Sequence, residues 1–335
     1  MGEALQLQLL PERPAAWPDD VLGVATYGSR VASGLDCAEA VPLAVIDMPI
    51  ADHAPDAVEA WRSARPMRAG HIGDASWRAN DAWMFVAVQV EERASLRSAT
   101  EAAYRSLFEA LATQDYAYPV RIWNYIADIN GESDGLERYR QFNIGRQSAF
   151  LGCGRDVSGD SVPAACALGT RPGAPLVVYA LAGRTAPLAI ENPRQRSAYH
   201  YPSRYGPRAP TFSRASLADW DGRPALFVSG TASIVGHETL HVGDVAEQTR
   251  ETLRNIAALL DQTRRVRGTA WGLRDLRYKA YVRHAADVAT VRAEITRACG
   301  TEPDCLYLLA DICRRDLLVE IEAVALPAAE AGCAA

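Results

Sequence analysis

The sequence predicts an α+β fold made of two modules that share the element order β-α-β-α-β-β. Short apolar runs alternate with amphipathic helical segments, which is typical of layered α+β folds. One complete set of six elements lies in the C-terminal third of the chain, and the same order recurs earlier with almost no shared residues. A recurrence of this kind indicates an internal duplication.

The C-terminal set begins with a strand over residues 227–231. A helix over 245–260 follows, for which Asp244 is a favourable N-cap and Leu253, Ile256 and Leu260 fall at helical spacing. A strand at 278–282, a helix at 285–298 and strands at 306–312 and 317–326 complete it. The short connector between the last two strands predicts a hairpin.

The N-terminal set has predicted strands at 84–90, 120–127, 164–168 and 176–182, with helices at 98–112 and 136–147. We therefore assign residues 1–185 to an N-terminal module and residues 186–335 to a C-terminal module that includes an Arg/Tyr-rich loop at 191–210. Residues 1–80 are less patterned and predict an irregular lead-in, with 52–71 as loop and one short helix.

Composition narrows the class of protein. The 335 residues are 49% hydrophobic and 23% charged, as in soluble globular proteins. The net charge of −6 argues against nucleic-acid binding, which needs basic faces. No basic leader is evident, and no apolar run approaches the roughly 20 residues of a membrane span. Seven scattered cysteines form neither a disulfide framework nor a Cys-x-x-Cys pair, so we expect a cytoplasmic protein without membrane contact.

The loop at 191–210 alternates arginine with tyrosine and is stiffened by proline. Arginine offers a planar fork that matches a carboxylate, and tyrosine adds a neutral donor on an apolar ring. Such a loop suits a small, ring-shaped carboxylated ligand. The alternative is a surface loop that binds nothing.

The predicted helix at 136–147 places Tyr139, Phe142 and Arg146 on one face. Arg146 could therefore reach a site beside two aromatic rings. Equally, all the arginines of this segment could be solvated.

The last strand carries two carboxylates. By alternation Glu320 and Glu322 face one way, while Val319 and Ile321 face the other. Desolvation in this apolar run would raise the pKa of Glu320, as a proton donor near neutral pH requires. Alternatively a glutamate here pairs with Arg314 or Arg315, and Glu322 is the better candidate for that structural role.

The segment from His237 to His241 fits the H-E-x-x-H pattern of zinc proteases. That chemistry needs both histidines on one helix face. The segment lies just before the helix that Asp244 caps, so we predict a loop. No metal site is expected.

Residues 227–325 resemble the YjgF/RidA module. The residues that carry the resemblance are Ser229-Gly230, Gly243-Asp244, Gln248, Thr252-Leu253, Asn255-Ile256 and Glu320-Ile321-Glu322-Ala323. That family normally has an arginine on the penultimate strand, but none lies between Gly300 and Cys313. The departure argues against simple imine deamination.

A closer resemblance, over about residues 77–325, is to the chorismatases, two-module relatives of that family. It rests on Arg121-Ile122-Trp123-Asn124-Tyr125, Glu137-Arg138-Tyr139-Arg140-Gln141-Phe142, Glu191-Asn192-Pro193-Arg194-Gln195, Ser197-Ala198-Tyr199, Tyr205-Gly206-Pro207, Ser229-Gly230-Thr231-Ala232-Ser233 and Cys313-Arg314-Arg315-Asp316 with Glu320.

This resemblance implies that chorismate is the substrate and that no cofactor or metal takes part. Glu320 would protonate the enolpyruvyl group, and pyruvate would leave. One branch of the family forms 3,4-dihydroxycyclohexa-1,5-diene carboxylate. The other forms hydroxybenzoate with a cysteine seven residues before the glutamate, here Cys313. The implied product is mainly 3-hydroxybenzoate, and Ala232, where a small residue varies between branches, leaves room for some 4-hydroxybenzoate.

The resemblance also implies a set of binding residues. Those expected to hold the two carboxylates are Arg146, Tyr199, Arg204 and Arg208, and Tyr205 is a further candidate. Gly230 and Ala232 would line the pocket. The alternative outside enzymology is a RidA-like metabolite-binding protein. Both a homotrimer and a monomer with an internal pseudo-repeat fit the duplication.

Overall fold

The structure is a computed structural model that describes residues 5–10, 12–14, 16–28, 41–51, 56–220 and 222–327. The predicted modules begin at residue 1 and end at residue 335, and both residues lie outside these ranges. Residues 52–55 of the predicted loop also lie outside them. Up to residue 190 the elements are β1 (Gln6–Leu10), β2 (Val21–Gly28), β3 (Leu43–Asp47), β4 (Asp56–Arg62), β5 (Arg68–Ile72), β6 (Ala75–Ala79), β7 (Trp83–Val90), α1 (Leu96–Thr113), β8 (Tyr118–Ala127), β9 (Glu132–Ser133), β10 (Leu136–Glu137), α2 (Arg138–Gly152), β11 (Ala164–Thr170), β12 (Leu176–Gly183) and β13 (Leu188–Ile190).

The rest of the described chain follows the same alternation. Its elements are β14 (Ala215–Trp220), β15 (Arg223–Ala232), β16 (Ile234–Val235), β17 (Glu238–Thr239), α3 (Val245–Arg267), β18 (Arg277–Val282), α4 (Val288–Cys299), β19 (Cys305–Leu309), β20 (Asp311–Ile312) and β21 (Val319–Ala325). Asp244 caps α3 as predicted, because its side chain accepts a hydrogen bond from the Glu247 amide at 3.0 Å.

The predicted fold class, two modules that repeat one element order, is confirmed, and the strand order shows the repeat. The N-terminal sheet runs β20-β11-β8-β12-β7-β6-β5, and the C-terminal sheet runs β13-β14-β15-β21-β18-β19. Within them, the series β11-β8-β12-β7-β6 corresponds to the series β19-β18-β21-β15-β14. In each series the first two strands are parallel and the others antiparallel.

The predicted hairpin of the last two strands is wrong. β19 pairs in parallel with β18, and β21 lies between β15 and β18. β20 leaves the sheet and pairs with β11 of the other module. A β-α-β crossover puts β19 beside β18 on the far side from β21, so the short connector links strands that are not neighbours.

The predicted irregular lead-in is also wrong. β1 to β4 form a separate sheet in the order β1-β4-β2-β3, and residues 68–72 form β5 rather than a loop. The pattern was hidden for two reasons. β2 is buried along nearly its whole length and so does not alternate, and the buried face of β4 carries a charged residue, Glu59.

Three layers of apolar side chains organise these sheets. The helices α1 and α2 cover one face of the N-terminal module's sheet, and α3 and α4 cover one face of the C-terminal one. The opposite faces meet in a central core to which β2, β3 and β4 also contribute. On β21 the predicted alternation holds, since Val319, Ile321 and Ala323 pack on the helical side.

A buried ion cluster crosses the central core and joins the three largest sheets of the described chain. It consists of Glu59 on β4, Arg121 on β8, Lys279 on β18 and Glu322 on β21, and we call it the Lys279 cluster. Lys279, the only lysine of the chain, contacts a Glu59 oxygen at 2.5 Å and a Glu322 oxygen at 2.9 Å. Arg121 donates to the other Glu322 oxygen at 2.5 Å.

No helix in the described part of the chain has the length and apolar character needed to cross a bilayer.

Replacing Lys279 by methionine should destabilise the protein strongly. Lys279 is 5% exposed, so its loss leaves two buried carboxylates without their shared cation. Breaking a buried ion pair in this way costs about 3–5 kcal/mol. Denaturant unfolding would measure the change. The control is Arg264→Met, because Arg264 pairs with Asp261 in solvent and its loss should cost at most about 1 kcal/mol. Equal losses for both variants would contradict the importance of the cluster.

Candidate active site

A β-bulge lies at the centre of the site. The register between β15 and β21 shifts between Val228 and Thr231, which places Gly230 at the irregularity. A Cβ atom on Gly230 would lie 1.9 Å from Oε1 of Glu320 and 3.0 Å from Cβ of Cys166. Only glycine leaves room here for the Glu320 carboxyl group in its present position.

A cavity of about 330 Å³ opens above this bulge, between the two modules. Its walls come from α2, β11, β15, the loop before β14, the connector between β20 and β21, and β21 itself. The lining residues are Glu137, Tyr139, Arg140, Arg146, Ala165, Cys166, Ala167, Tyr201, Arg204, Tyr205, Pro210, Phe212, Arg214, Gly230, Ala232, Ile234, Cys313, Arg314, Arg315, Asp316 and Glu320.

Glu320 is 4% exposed and accepts no hydrogen bond from the described residues. Burial, reinforced by the negative charge of Glu322, raises the pKa of Glu320 to about 8, although Arg121 and Arg214 act in the opposite direction. The carboxyl group is therefore mostly protonated at neutral pH. The predicted rise in the pKa of Glu320 is confirmed.

Glu322, two residues further along β21, has the opposite character. Burial alone would raise its pKa, but Lys279 and Arg121 outweigh that effect and hold the pKa at about 2. Trp123 also donates its indole N–H to Glu322 at 2.9 Å. Glu322 is thus a fixed anion, as its expected structural role requires, but its partners are Lys279 and Arg121 rather than Arg314 or Arg315.

Three arginines without carboxylate partners, the buried Arg146 and Arg214 and the half-buried Arg314, bring positive charge to the cavity. Arg146 is 2% exposed, and its Nε has no hydrogen-bond partner, while its Nη2 donates to Asn143 at 3.1 Å. Nε of Arg214 and Nη2 of Arg314 are likewise buried without a partner. Within the described chain none of the three forms an ion pair with a carboxylate. Such donors predict a site for an anionic ligand.

The connector that carries Cys313 and Arg314 is held from behind. Arg283 donates to the carbonyl oxygens of Leu317 at 2.8 Å and of Arg314 at 2.9 Å. The amide nitrogen of Gln248 donates to the Asp316 carbonyl oxygen at 2.8 Å. Because these bonds hold the backbone, the side chains of the connector face the cavity from a fixed support.

Cys313 lies in this wall as a neutral thiol. Burial and the nearby Glu320 raise its pKa to about 12, although Arg314 lowers it. Cys166, beneath Gly230, also has a raised pKa because it is buried. Neither thiol is expected to react as a thiolate near neutral pH.

The cavity rim joins the Arg/Tyr-rich loop to the β16–β17 hairpin. Arg204 pairs with Glu238, and the Tyr205 hydroxyl donates to the His237 carbonyl oxygen at 2.6 Å. Arg314 stacks on the Tyr205 ring, with 4.1 Å between its Cζ and the ring centroid. These contacts place two predicted binding residues, Arg204 and Tyr205, at the entrance.

Seven of the nine predicted site residues line this one cavity: Cys313, Glu320, Arg146, Arg204, Tyr205, Gly230 and Ala232. Two predicted residues do not. Arg208 is exposed, and Tyr199 is half-buried against the ring of His200. Neither reaches the cavity, because the loop turns through Ser203–Tyr205 and presents Arg204 and Tyr205 instead.

Sequence reasoning gave no site role to Arg214, Tyr139, Cys166 or Arg314. Arg314 stands in the quoted Cys313-Arg314-Arg315-Asp316 motif, and Tyr139 shares a helical face with Arg146, so both carried a signal. Arg214 and Cys166 carried none, since each reaches the cavity only when the two modules pack together.

The H-E-x-x-H segment is not helical, as predicted. Glu238 lies in the β16–β17 hairpin, and His241 has a positive φ of 57°. Across the described residues, no three His, Cys, Asp or Glu side chains come together as a metal-ligand set.

Fold and site together define a duplicated α+β protein with a buried carboxyl group, that of Glu320, in an arginine-lined cavity. A family model described as "Chorismatase FkbO/Hyg5-like, N-terminal" matches residues 59–182. The chain is 39% identical over 316 residues to a 3-hydroxybenzoate synthase of Streptomyces hygroscopicus, covering 91% of each chain. It is 39% identical over 277 residues to a chorismatase of Streptomyces rapamycinicus, covering 79% of this chain and 81% of the relative.

Solved structures agree with these relatives. A crystal structure of a chorismatase at 1.08 Å resolution superposes with a TM-score of 0.88 and 32% identity, covering 97% of this chain and 99% of that one. The chain belongs to the chorismatase family.

Replacing Gly230 by alanine should displace the Glu320 carboxyl group. The new methyl group would overlap Oε1, which is the end of a flexible side chain and can move. We therefore expect a loss of stability below about 2 kcal/mol and a rotated Glu320 side chain in a crystal structure of the variant. Gly183→Ala is the control, because a Cβ there has no neighbour closer than 3.7 Å. An unmoved Glu320 in the Gly230→Ala variant would contradict the close approach.

Proposed function

We propose that this protein is a chorismatase that converts chorismate to pyruvate and hydroxybenzoate, mainly 3-hydroxybenzoate with some 4-hydroxybenzoate. The names of its relatives support this proposal, since they include a 3-hydroxybenzoate synthase and chorismatases at 38–39% identity. The observation that carries it is the buried Glu320 carboxyl group inside an arginine-lined cavity, where burial raises its pKa to about 8.

The cavity suits the substrate in charge and shape. Chorismate is a cyclohexadiene with two carboxylates, and the unpartnered N–H groups of Arg146, Arg214 and Arg314 supply donors for them. Tyrosine and phenylalanine rings, with Ala232 and Ile234, offer apolar walls for the ring. Arg204 and Tyr205 would act at the entrance, and Gly230 would keep the space that Glu320 occupies.

Glu320 would donate its proton to the methylene carbon of the enolpyruvyl ether. Protonation turns that methylene into the methyl group of pyruvate and leaves an oxocarbenium centre next to the ether oxygen. A neutral acid is required for this step, and the pKa of about 8 provides it at physiological pH.

The oxocarbenium centre can react in two ways, and the atoms of substrates and products balance in each. Attack by water gives pyruvate and the dihydrodiol, with one water consumed. In the second outcome the bond between ring carbon C3 and the ether oxygen breaks, and that oxygen becomes the ketone oxygen of pyruvate. Loss of the proton on C4 then gives 4-hydroxybenzoate. For 3-hydroxybenzoate the C4 hydroxyl oxygen instead bonds to C3 and loses its proton, its bond to C4 breaks, and a ring proton shifts or leaves as the ring becomes aromatic. In both cases the proton released replaces the one that Glu320 gave, and the two products together contain the atoms of chorismate. The second outcome requires that water be kept from the reacting carbon.

Cys313 would serve this second outcome. Its thiol is uncharged and packs against the edges of both the central core and the N-terminal module's core. A neutral thiol behaves as a small apolar group and attracts little water. We therefore assign to Cys313 the direction of the reaction toward the aromatic product.

Glu320→Gln should lower pyruvate release from chorismate by about 10²–10⁴-fold, because an amide cannot donate the proton. Purified protein would be incubated with chorismate, and pyruvate and ring products would be separated by chromatography. Glu109→Gln is the control, since Glu109 is exposed on α1 and lies outside the cavity. Wild-type protein that binds chorismate without releasing pyruvate would refute the proposal and favour a RidA-like metabolite-binding protein.

Cys313→Ala should divert the product from hydroxybenzoate toward 3,4-dihydroxycyclohexa-1,5-diene carboxylate. The smaller side chain leaves space in which water can reach the oxocarbenium centre, and the ratio of aromatic product to diol should fall about tenfold or more. The same chromatographic assay measures the ratio, with Cys153→Ala, an exposed cysteine at the end of α2, as the control. An unchanged ratio would remove the role assigned to Cys313 and leave the role of Glu320 intact.

A further inference from the structure

The acid of the cavity and the fixed anion of the Lys279 cluster lie on the same face of one strand. Glu320 and Glu322 are separated by a single residue on β21, and both point away from the helical layer toward the central core. Their cross-strand neighbours on β18 are Tyr281 and Lys279, respectively. Glu320 enters the cavity, whereas Glu322 does not line it.

The two carboxyl groups differ in the hydrogen bonds that they accept. Arg121, Trp123 and Lys279 all donate to Glu322, which satisfies an ionised carboxylate. None of the described residues donates to Glu320. A pair of glutamates in such unlike surroundings is the arrangement that separates an acid from an anion.

We infer that Glu322 is a positioning residue whose permanent negative charge keeps Glu320 in its acid form for the proposed reaction. Lys279 and Arg121 hold that charge in place, and Glu59 balances the remaining positive charge. The cluster contains two cations and two anions, so its net charge is zero. Removal of Glu322 leaves a net charge of +1 behind Glu320 and frees Arg121 to act on it.

The other groups around Glu320 are either neutral near neutral pH or are mainly arginines that act against Glu322. The pKa values of Cys166, Tyr139, Tyr281 and Cys313 are raised by burial, so these groups remain neutral. The charged groups that face the cavity or Glu320 from neighbouring elements are Glu322 on β21, Arg121 on β8, Arg146 and Arg140 on α2, Arg204, Arg214, Arg314, Arg315, Asp316 and Glu137. Most are arginines, which favour the ionised form, so Glu322 is the nearby charge that favours the acid.

The test is the pH dependence of kcat/KM for pyruvate release, which reports ionisations of the free enzyme. Substrate carboxylates titrate near pH 4 and do not interfere at higher pH. In the wild type, activity should be present below about pH 8 and lost as pH rises through that value, because Glu320 then ionises. In Glu322→Gln this loss should occur at least about one pH unit lower.

Glu59→Gln is the matched control. Glu59 is buried like Glu322 and bonds the same lysine. Replacing Glu59 by glutamine changes the net charge of the cluster by the same amount as replacing Glu322. Glu59 is not among the groups that shift the pKa of Glu320. The Glu59→Gln variant should therefore lose activity at about the same pH as the wild type. A structural role alone for Glu322 would give both variants the same profile with altered rates.

The outcomes separate the two proposals. No pyruvate from the wild type refutes the proposed function. Turnover with an unshifted profile in Glu322→Gln overturns the role of Glu322 and leaves the function standing. If Glu322→Gln does not fold, the Lys279→Gln/Glu322→Gln double variant keeps the cluster balanced in charge. Its loss of activity should still move to lower pH, though by less than in Glu322→Gln, because the anion beside Glu320 is gone while Arg121 remains. A carbon-13 titration of the Glu320 carboxyl group reports the shift without turnover.

Discussion

The Lys279 cluster joins four strands from three different sheets across the central core. Lys279 and Glu322 belong to the C-terminal module, Arg121 to the N-terminal module, and Glu59 to the separate N-terminal sheet. Buried charges are costly unless each is paired, so the cluster is satisfied only when all three sheets are in place. The position of the cavity between the modules depends on this same docking.

The consequence for the site is an asymmetry on β21. An alternating strand places Glu320 and Glu322 side by side on the core face, where both would be expensive to ionise. Donors from two strands bond to Glu322. None of the described residues donates to Glu320, and its pKa is raised by burial and by the neighbouring anion. One residue becomes a fixed charge and the other a neutral acid, without any difference in side-chain chemistry.

The cavity wall that carries Cys313 and Arg314 is held in place by residues that lie behind it. Arg283 and Gln248 use their polar groups on the backbone of the connector that carries Cys313 and Arg314. The arginines that face the cavity keep unpartnered N–H groups available instead. Positive charge is thus placed before a ligand arrives, which suits a substrate with two carboxylates.

The sequence by itself determined the two modules, the helices, and the core-facing pair Glu320 and Glu322, because these depend on local periodicity and caps. The resemblance to the chorismatases, carried by short motifs spread along the chain, also indicated Cys313, Arg146, Gly230 and Ala232. Only the tertiary structure decided that Arg214 and Cys166 reach the cavity, that Tyr199 and Arg208 do not, and that β1 to β4 form a sheet. The physical reason is distance along the chain: Glu59 looks polar and unpaired until Lys279 meets it across the core, and the protonation of Glu320 is set by charges that arrive from other strands.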